Sequence, residues 1–355
     1  MKKVCMIVQD PKVKGGIAAV ISGYYGSKLE QDYSVYYVES YQDGTKLDKL
    51  IKAIKGYIHF VKVLLVDKPD LVHIHSSFGP SFYRKIPYIY MAKWCKLPVI
   101  NHIHGSEFDK LYTNAGAKKQ HLVEKVWGKC DKFIVLSEVW KEKFSCIIPK
   151  EKMTVIENYS KLQPVMDKSI CNNQILFLGA INPMKGCLDM VDVVYELKKH
   201  YPEIKMVIAG DGEIEAVKVK AKEKGVLENL IFPGWVRDKE KEELLRNSDI
   251  FFLPSYTEGM PMSILDAMGY SLPIISTNVG GIPRLVKEGE NGRLYTPGDA
   301  AGMAVGIGEL LENTTKRVGY GKKSRAIVEE RYSLEKHLEK IEQVYESVFK
   351  KLKLC

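Results

Sequence analysis

IFFLPSYTEGMPMSILDAMG, residues 250–269, sets a short apolar run, a glycine-containing turn and an apolar-periodic segment in immediate succession. Residues 250–254 read as a short buried strand, and Pro261 suits the first turn of the helix that follows, where the N–H it lacks has no partner anyway. Strand, turn and helix in that order form the repeating unit of a parallel α/β sheet. The helix start, about residues 260 to 263, directs amides and the positive end of a helix dipole at one point, which suits a diphosphate. Carboxylates stand on either side of it. Helix-like rise over the residues between them would separate Glu258 from Asp266 by about 12 Å, near the span from a sugar to a ribose across a diphosphate. An isolated carboxylate pair has a plainer reading, with Glu258 as a helix cap and Asp266 as a solvated helix residue.

The same grammar runs through the chain. Apolar runs KKVCMIV, YSVYYV, DLVHIH, PVINHIH and KFIVLS alternate with helical patterns at residues 16–30, 47–66, 82–95 and 119–128. From residue 174 it resumes through QILFLG, KMVIAG, NLIFPG, IFFLP and PIIST. Such alternation predicts two doubly wound parallel sheets covered on both faces. Periodicity lapses in NYSKLQPVMDKSICNN, residues 158–173, which reads as the linker. The expected division is 1–160, 161–333 and a last helix at 334–355.

With 355 residues and 45% hydrophobic content the chain supports two full cores. No apolar run approaches the ~18 to 20 residues of a membrane span, and no leader pattern precedes VCMIV, so a cytoplasmic protein is expected. Seven cysteines without a C-x-x-C imply neither a disulfide framework nor a zinc knuckle. A formal charge of +9 suits phosphorylated substrates or an anionic membrane. Nucleic acid is excluded as a partner, because no helix-turn-helix punctuation, aromatic ribonucleoprotein motif or unbroken basic run accompanies the charge.

Ligands of doubly wound folds bind beyond the carboxyl ends of strands, so residues just after each apolar run carry the chemistry. Gly15 and Gly16 open the first helix, either as a tight turn or as a place where a diphosphate comes close to helix amides. His73 with His75, and His102 with His104, form two H-I-H tripeptides. Alternate residues share a strand face, but no third ligand of matching spacing accompanies them, and they read as polar strand-end residues instead of metal ligands. Lys185, in LGAINPMKG, is a solvated loop lysine unless a diphosphate lies opposite it. Residues 46–68 combine many lysines with an apolar face of Leu50, Ile51, Ile54, Ile58, Val61 and Leu65. That stripe is expected to pack on the sheet, with a basic membrane-facing helix as the alternative.

Beyond residue 269 the text continues SLPIISTNVGGIPRLVKEGENGRLYTPGD, residues 271–299. With it, the segment resembles the donor-binding signature of the retaining glycosyltransferases of family 4: E-x7-E, then G-x-P, V-G-G-I-P, N-G and P-G-D. Asp266 stands at the second carboxylate, and Arg284 where the family often has Glu. The resemblance implies a GT-B fold, two Rossmann-like domains with the C-terminal helix crossing back to the first. An acceptor would bind the first domain and a nucleoside-diphosphate sugar the second. It implies donor-binding roles for Gly15, Gly16, Lys185, Trp235, Val236, Glu258, Gly259, Met260, Pro261 and Asp266, and catalytic roles for His104, Lys185 and Glu258. Ala180 replaces a family Arg, which leaves the phosphate clamp either to Lys185 with helix amides alone or to an Arg recruited from elsewhere in the chain.

No cofactor or metal is expected, since no D-x-D occurs. The implied activity is retaining transfer of a hexosyl or N-acetylhexosaminyl group, with UDP as the favoured carrier, to a saccharide or lipid-linked saccharide in envelope or capsule synthesis. Such an enzyme would work in the cytoplasm, with peripheral contact to an anionic inner membrane face. A nucleotide-sugar 2-epimerase of the same fold and a silent nucleotide-sugar-binding protein are the alternatives.

Overall fold

The computed structural model describes residues 1–105, 108–164 and 168–352. It divides into two units, residues 1–158 with 335–355, and residues 159–334. The predicted linker straddles this division, and its residues 165–167 lie outside the described ones.

In the first unit, β1 (Lys2–Val8), β2 (Tyr33–Glu39), β3 (Leu71–Ser76), β4 (Val99–Ile103), β5 (Lys132–Val135) and β6 (Met153–Val155) form one parallel sheet in the order β2-β1-β3-β4-β5-β6. In the second, β7 (Gln174–Leu178), β8 (Lys205–Ala209), β9 (Leu230–Ile231), β10 (Ile250–Leu253), β11 (Ile274–Thr277) and β12 (Gly292–Tyr295) form another in the order β12-β11-β10-β7-β8-β9. Each order reverses direction beside its first strand, the pattern of a doubly wound sheet. Central strands such as β3 and β10 are buried along their whole length, as parallel strands covered on both faces must be. β6 and β12, three and four residues long, are edge strands that the apolar runs alone did not reveal.

The helix expected over residues 16–30 is two pieces, Gly16–Ser22 and Lys28–Asp32, parted by a turn at Gly23 and Gly26. The final helix, Leu334–Leu352, starts at the end of the second unit, and from Glu335 it belongs to the first. Leu338, Ile341, Val344, Tyr345 and Val348 on it are buried.

One expectation is overturned. Helix Lys46–Lys62 is started by a capping box between Thr45 and Asp48 and continues as a wider turn over Val63–Asp67. It faces the sheet with Ala53, Gly56, Phe60 and Val63, while Leu50, Ile51, Ile54, Ile58, Val61 and Leu65 are exposed. The space beneath it explains the choice. A Cβ at Gly56 would lie 2.7 Å from the Glu39 carbonyl oxygen, so at this position the helix comes too close to β2 for any side chain.

Candidate active site

In the second unit, the loops leaving β7 and β10 are tied together before any ligand is considered. Tyr256 N–H donates to the Met184 carbonyl at 2.8 Å. Gly186 has φ +68, and a Cβ there would meet the Pro254 carbonyl oxygen at 2.2 Å, so only glycine lets the two loops lie this close. This juxtaposition brings Lys185 to Glu258, with Nζ 2.5 Å from Oε1. Ser255 Oγ donates to the same oxygen at 2.8 Å. The Glu258 side chain is 7% exposed and that of Lys185 28%. Two residues 73 positions apart, both singled out in the sequence, thus form one ion pair at the exit of β10.

Behind them, helix Met262–Gly269 begins without a side-chain cap. Its earliest bond runs from Leu265 N–H to the Pro261 carbonyl at 3.4 Å, so the amides of residues 262–264 have no partner within the helix. Pro261 is the residue before this helix, with φ −69 and ψ 117, and not part of its first turn. Helical rise therefore covers only residues 262–266, about 6 Å, and the ~12 Å span derived for the whole interval does not follow from helix geometry. Asp266 has a partner of its own, with Lys241 Nζ 3.1 Å from Oδ2. That carboxylate holds the Lys241 ammonium above the usual lysine range. Trp235 is half-buried in the loop after β9, and Val236 packs on the core beside it.

The V-G-G-I-P motif acts on the same loop. A Cβ on Gly280 would fall 1.8 Å from the Glu258 carbonyl oxygen, and one on Gly281 would fall 1.9 Å from that of Gly259. These two glycines let the chain after β11 press against the backbone that presents Glu258. Other parts of the resemblance serve the fold. Asn291, fully buried, accepts from Lys287 N–H at 2.7 Å and donates to the Leu285 carbonyl at 3.1 Å. Asp299 caps helix Ala300–Glu312 by accepting from Gly302 N–H at 2.9 Å.

In the first unit, Gly15 has φ +149 and precedes helix Gly16–Ser22, and a Cβ on either Gly15 or Gly16 would meet nothing within 4 Å. His104 follows β4. Its Nε2 is 2.9 Å from Nδ1 of His75, and its ring stacks on His102 with centroids 4.1 Å apart. Its pKa is pushed down to about 3, first by desolvation and then by His337.

Register explains this gathering, because His75 pairs with His102 across β3 and β4. The missing third ligand therefore comes from the neighbouring strand. His73, His75 and His102 have ring nitrogens within 4.8 Å of one another and could hold a metal ion. His73 Nε2, His75 Nε2 and both nitrogens of His102 are buried without hydrogen-bond partners. Sequence reasoning also missed Ser255 and Lys241. Ser255 lies three residues before Glu258 and was open to a local hydrogen-bond argument, whereas nothing in the sequence pointed to Lys241.

Two doubly wound parallel units, with a last helix that belongs to the first, make up a GT-B fold. The Anabaena protein HepE, solved in complex with UDP, has this fold, with a TM-score of 0.72 and 17% identity over 98% of this chain and 100% of that one. The model of the Glycosyltransferase Family 4 matches residues 20–159, and that of the Glycosyl transferases group 1 matches residues 167–327. The chain belongs to this family of retaining glycosyltransferases.

Among its relatives is the UDP-Gal:alpha-D-GlcNAc-diphosphoundecaprenol alpha-1,3-galactosyltransferase of Escherichia coli, 27% identical over 83% of this chain and 80% of that protein. An uncharacterized glycosyltransferase of Haemophilus influenzae is 30% identical over 59% of this chain, and the match spans 60% of that relative's length.

Proposed function

We propose that this enzyme transfers a hexosyl or N-acetylhexosaminyl group from a UDP-sugar, with retention, to a saccharide or lipid-linked saccharide used in envelope or capsule synthesis. The observation that carries the donor half is the Glu258–Lys185 pair beside the uncapped start of helix Met262–Gly269. A carboxylate, a cation and free helix amides in one place match the hydroxyls of a sugar and the charge of a diphosphate. The donor and lipid-linked acceptor in the name of the Escherichia coli relative support the choice of UDP and of lipid.

In this reading the donor's diphosphate displaces Glu258 from Lys185. The ammonium then neutralises charge that grows as the glycosidic bond breaks, and Glu258 turns its oxygens to the sugar hydroxyls. An acceptor hydroxyl attacks from the leaving group's side and gives its proton to a diphosphate oxygen, so catalysis consists of positioning and charge stabilisation. Asp266, held by Lys241, is assigned to the ribose, and Trp235 and Val236 to the base. Gly15, Gly16 and His104, all in the first unit, are assigned to donor contact, and the acceptor is assigned to that unit. His104 enters as a neutral imidazole, consistent with its depressed pKa.

The test is incubation with UDP-, GDP- and ADP-sugars, each with and without saccharide and polyprenyl-diphosphate saccharide acceptors. Transfer from a UDP-sugar with retained anomeric configuration supports the reading. Epimerised donor without transfer, or binding without turnover, overturns it.

A further inference from the structure

We infer that two neighbouring helices of the first unit, Lys46–Lys62 with its continuation to Asp67 and Pro80–Trp94, form a docking face for an anionic lipid bilayer. On the first helix Leu47, Leu50, Ile51, Ile54, Ile58, Val61 and Leu65 recur at intervals of three and four residues and so occupy one stripe. That stripe points away from the sheet, with Leu50 58% exposed, Ile58 66% and Leu65 69%. Seven exposed aliphatic side chains in one line are unlike the single apolar residues scattered over any protein surface.

Lysines border the stripe. By helical position Lys55 and Lys62 lie along one edge and Lys46 and Lys68 along the other, all of them exposed. Lys52 is different, since it pairs with Asp10 and Glu39 and belongs to the fold. Acidic residues of the segment are kept off the stripe, for Asp48 closes the capping box and Asp67 ends the last turn.

The second helix packs against the first through Tyr57 and Tyr88, whose ring centroids are 4.8 Å apart. It exposes an aromatic line of Tyr83, Tyr90 and Trp94 at intervals of seven and four, with Trp94 89% exposed. Tyrosine and tryptophan, apolar with one polar atom, are the side chains that settle at the boundary between headgroups and acyl chains. An aliphatic stripe with basic borders beside an aromatic line is the chemistry of a helix pair lying in a membrane interface.

A second copy of the chain suits this face less well. The aliphatic stripe, about 27 Å long, and the second helix, about 22 Å long, each about 10 Å wide, together present about 500 Å², short of the ~800 Å² per partner that a stable protein interface needs. Face-to-face packing would also set one row of lysines against another, whereas an anionic leaflet neutralises both rows. The inference deepens the reading that the acceptor is lipid-linked, yet its geometry stands on the first unit alone.

Sedimentation of the full chain with vesicles of phosphatidylcholine containing about one third phosphatidylglycerol, without donor or acceptor, tests it. The protein should pellet with these vesicles, stay in solution with pure phosphatidylcholine, and be released by high salt. Trp94 fluorescence should shift to the blue on binding, and Trp94→Phe should abolish that shift. Ile54→Glu with Ile58→Glu should reduce partitioning at least tenfold while leaving the melting temperature and UDP affinity unchanged. Lys55→Ala and Lys62→Ala should each cost about fivefold, the equivalent of roughly 1 kcal/mol per basic residue at the surface.

Failure of the wild type to pellet, or full binding by the double glutamate variant, would overturn the inference. A dimer in solution that the double glutamate variant dissociates would assign the face to a second copy and overturn it equally. Because UDP binding and transfer to a soluble acceptor are measured apart from vesicles, failure here and failure of the glycosyl-transfer reading are distinguishable.

Discussion

The ion pair between Glu258 and Lys185 is asymmetric, and the asymmetry is measurable. Glu258 is almost buried, so removing Lys185 strands a carboxylate, whereas removing the glutamate charge leaves an ammonium with a quarter of its side chain in water. Breaking a buried pair by loss of one partner costs about 3–5 kcal/mol when the survivor cannot reach solvent. Lys185→Met should therefore lower the melting temperature more than Glu258→Gln, a comparison that calorimetry of the two variants settles. In catalysis the order changes. Glu258→Gln should lose about 10² to 10³ of transfer, the usual effect of one preorganised contact, while binding free UDP as well as or better than the wild type. Better binding is expected because Lys185 no longer has to leave a carboxylate to meet the diphosphate. Unchanged turnover, or weaker UDP binding measured by titration calorimetry, would remove Glu258 and Lys185 from the donor site.

Asp266 and Lys241 form a second such test. If Lys241 holds the carboxylate for the ribose, Asp266→Ala and Lys241→Met should both raise the KM for donor several-fold with little change in kcat, as loss of uniform binding does. An effect of Asp266→Ala that Lys241→Met does not share would leave the ion pair with a purely structural role.

At the scale of elements, the loop that presents Glu258 owes its path to glycine backbone contacts. Gly281→Ala places a methyl group 1.9 Å from the Gly259 carbonyl oxygen, a separation that only movement of one strand-end loop relieves. Transfer should fall at least tenfold together with a lower melting temperature, because displacing a reactive group by about 1 Å can cost 10²-fold. Gly289→Ala is a useful comparison, since it strains the backbone, at φ +76 against −89 for Gly281, but a Cβ there meets nothing within 4 Å. It should destabilise modestly and leave KM unchanged. These contacts also show why some of the site could be read from the chain and some could not. Glu258, Lys185 and the helix start of the candidate site were singled out by strand-end position and residue type, while the roles proposed for them came from the resemblance. Long central strands were legible for the same kind of reason, since burial on both faces leaves a continuous apolar run. β6 and β12 are too short to carry such a run. The exposed stripe of Lys46–Lys62 was misread because periodicity reports that a helix has an apolar face, and not which of its faces meets the sheet. Gly56 and Ala53 were the clue, as small residues mark the side that comes close to another backbone. The Lys241–Asp266 pair joins residues on separate helices, and only the path of the chain between them makes it a pair.

At the scale of the whole molecule, the first unit stores a pH dependence in its core. His73, His75, His102, His104 and His337 lie together, with Tyr345 Oη 2.7 Å from His73 Nδ1 and Tyr24 Oη 2.7 Å from His337 Nε2. His337 Nδ1 also lies 2.8 Å from the Glu157 carbonyl oxygen, so the cluster ties the returning helix to β3 and β4. Desolvation is the largest influence on each ring, lowering His73 to about 3 and His337 to about 4, with His75 and His102 well below the usual histidine range. Lys85, buried with its Nζ against Ser40 Oγ, is likewise held well below the lysine range by desolvation. In the unfolded chain the same histidines titrate near 6.5. Below that pH the unfolded state binds more protons than the folded one, so stability must fall as pH drops from about 6.5 toward about 3. Above 6.5 the histidines are neutral in both states and contribute no slope, while Lys85 contributes one of the same sign from its unfolded pKa near 10.4 downward. Thermal melts of the intact chain in chelator between about pH 7.5 and 4.5 cover the histidine range, and carboxylates, with unfolded pKa values near 3.9 to 4.3, begin to titrate only toward its lower end. The melting temperature should decline steadily over the lower part of that window. His102→Asn removes one buried titrating ring and should flatten the decline, even if it lowers the melting temperature at neutral pH. A melting temperature that does not change between pH 6.5 and 4.5 would mean that the histidines charge within the folded protein, and that the cluster is wet and not sealed by the final helix.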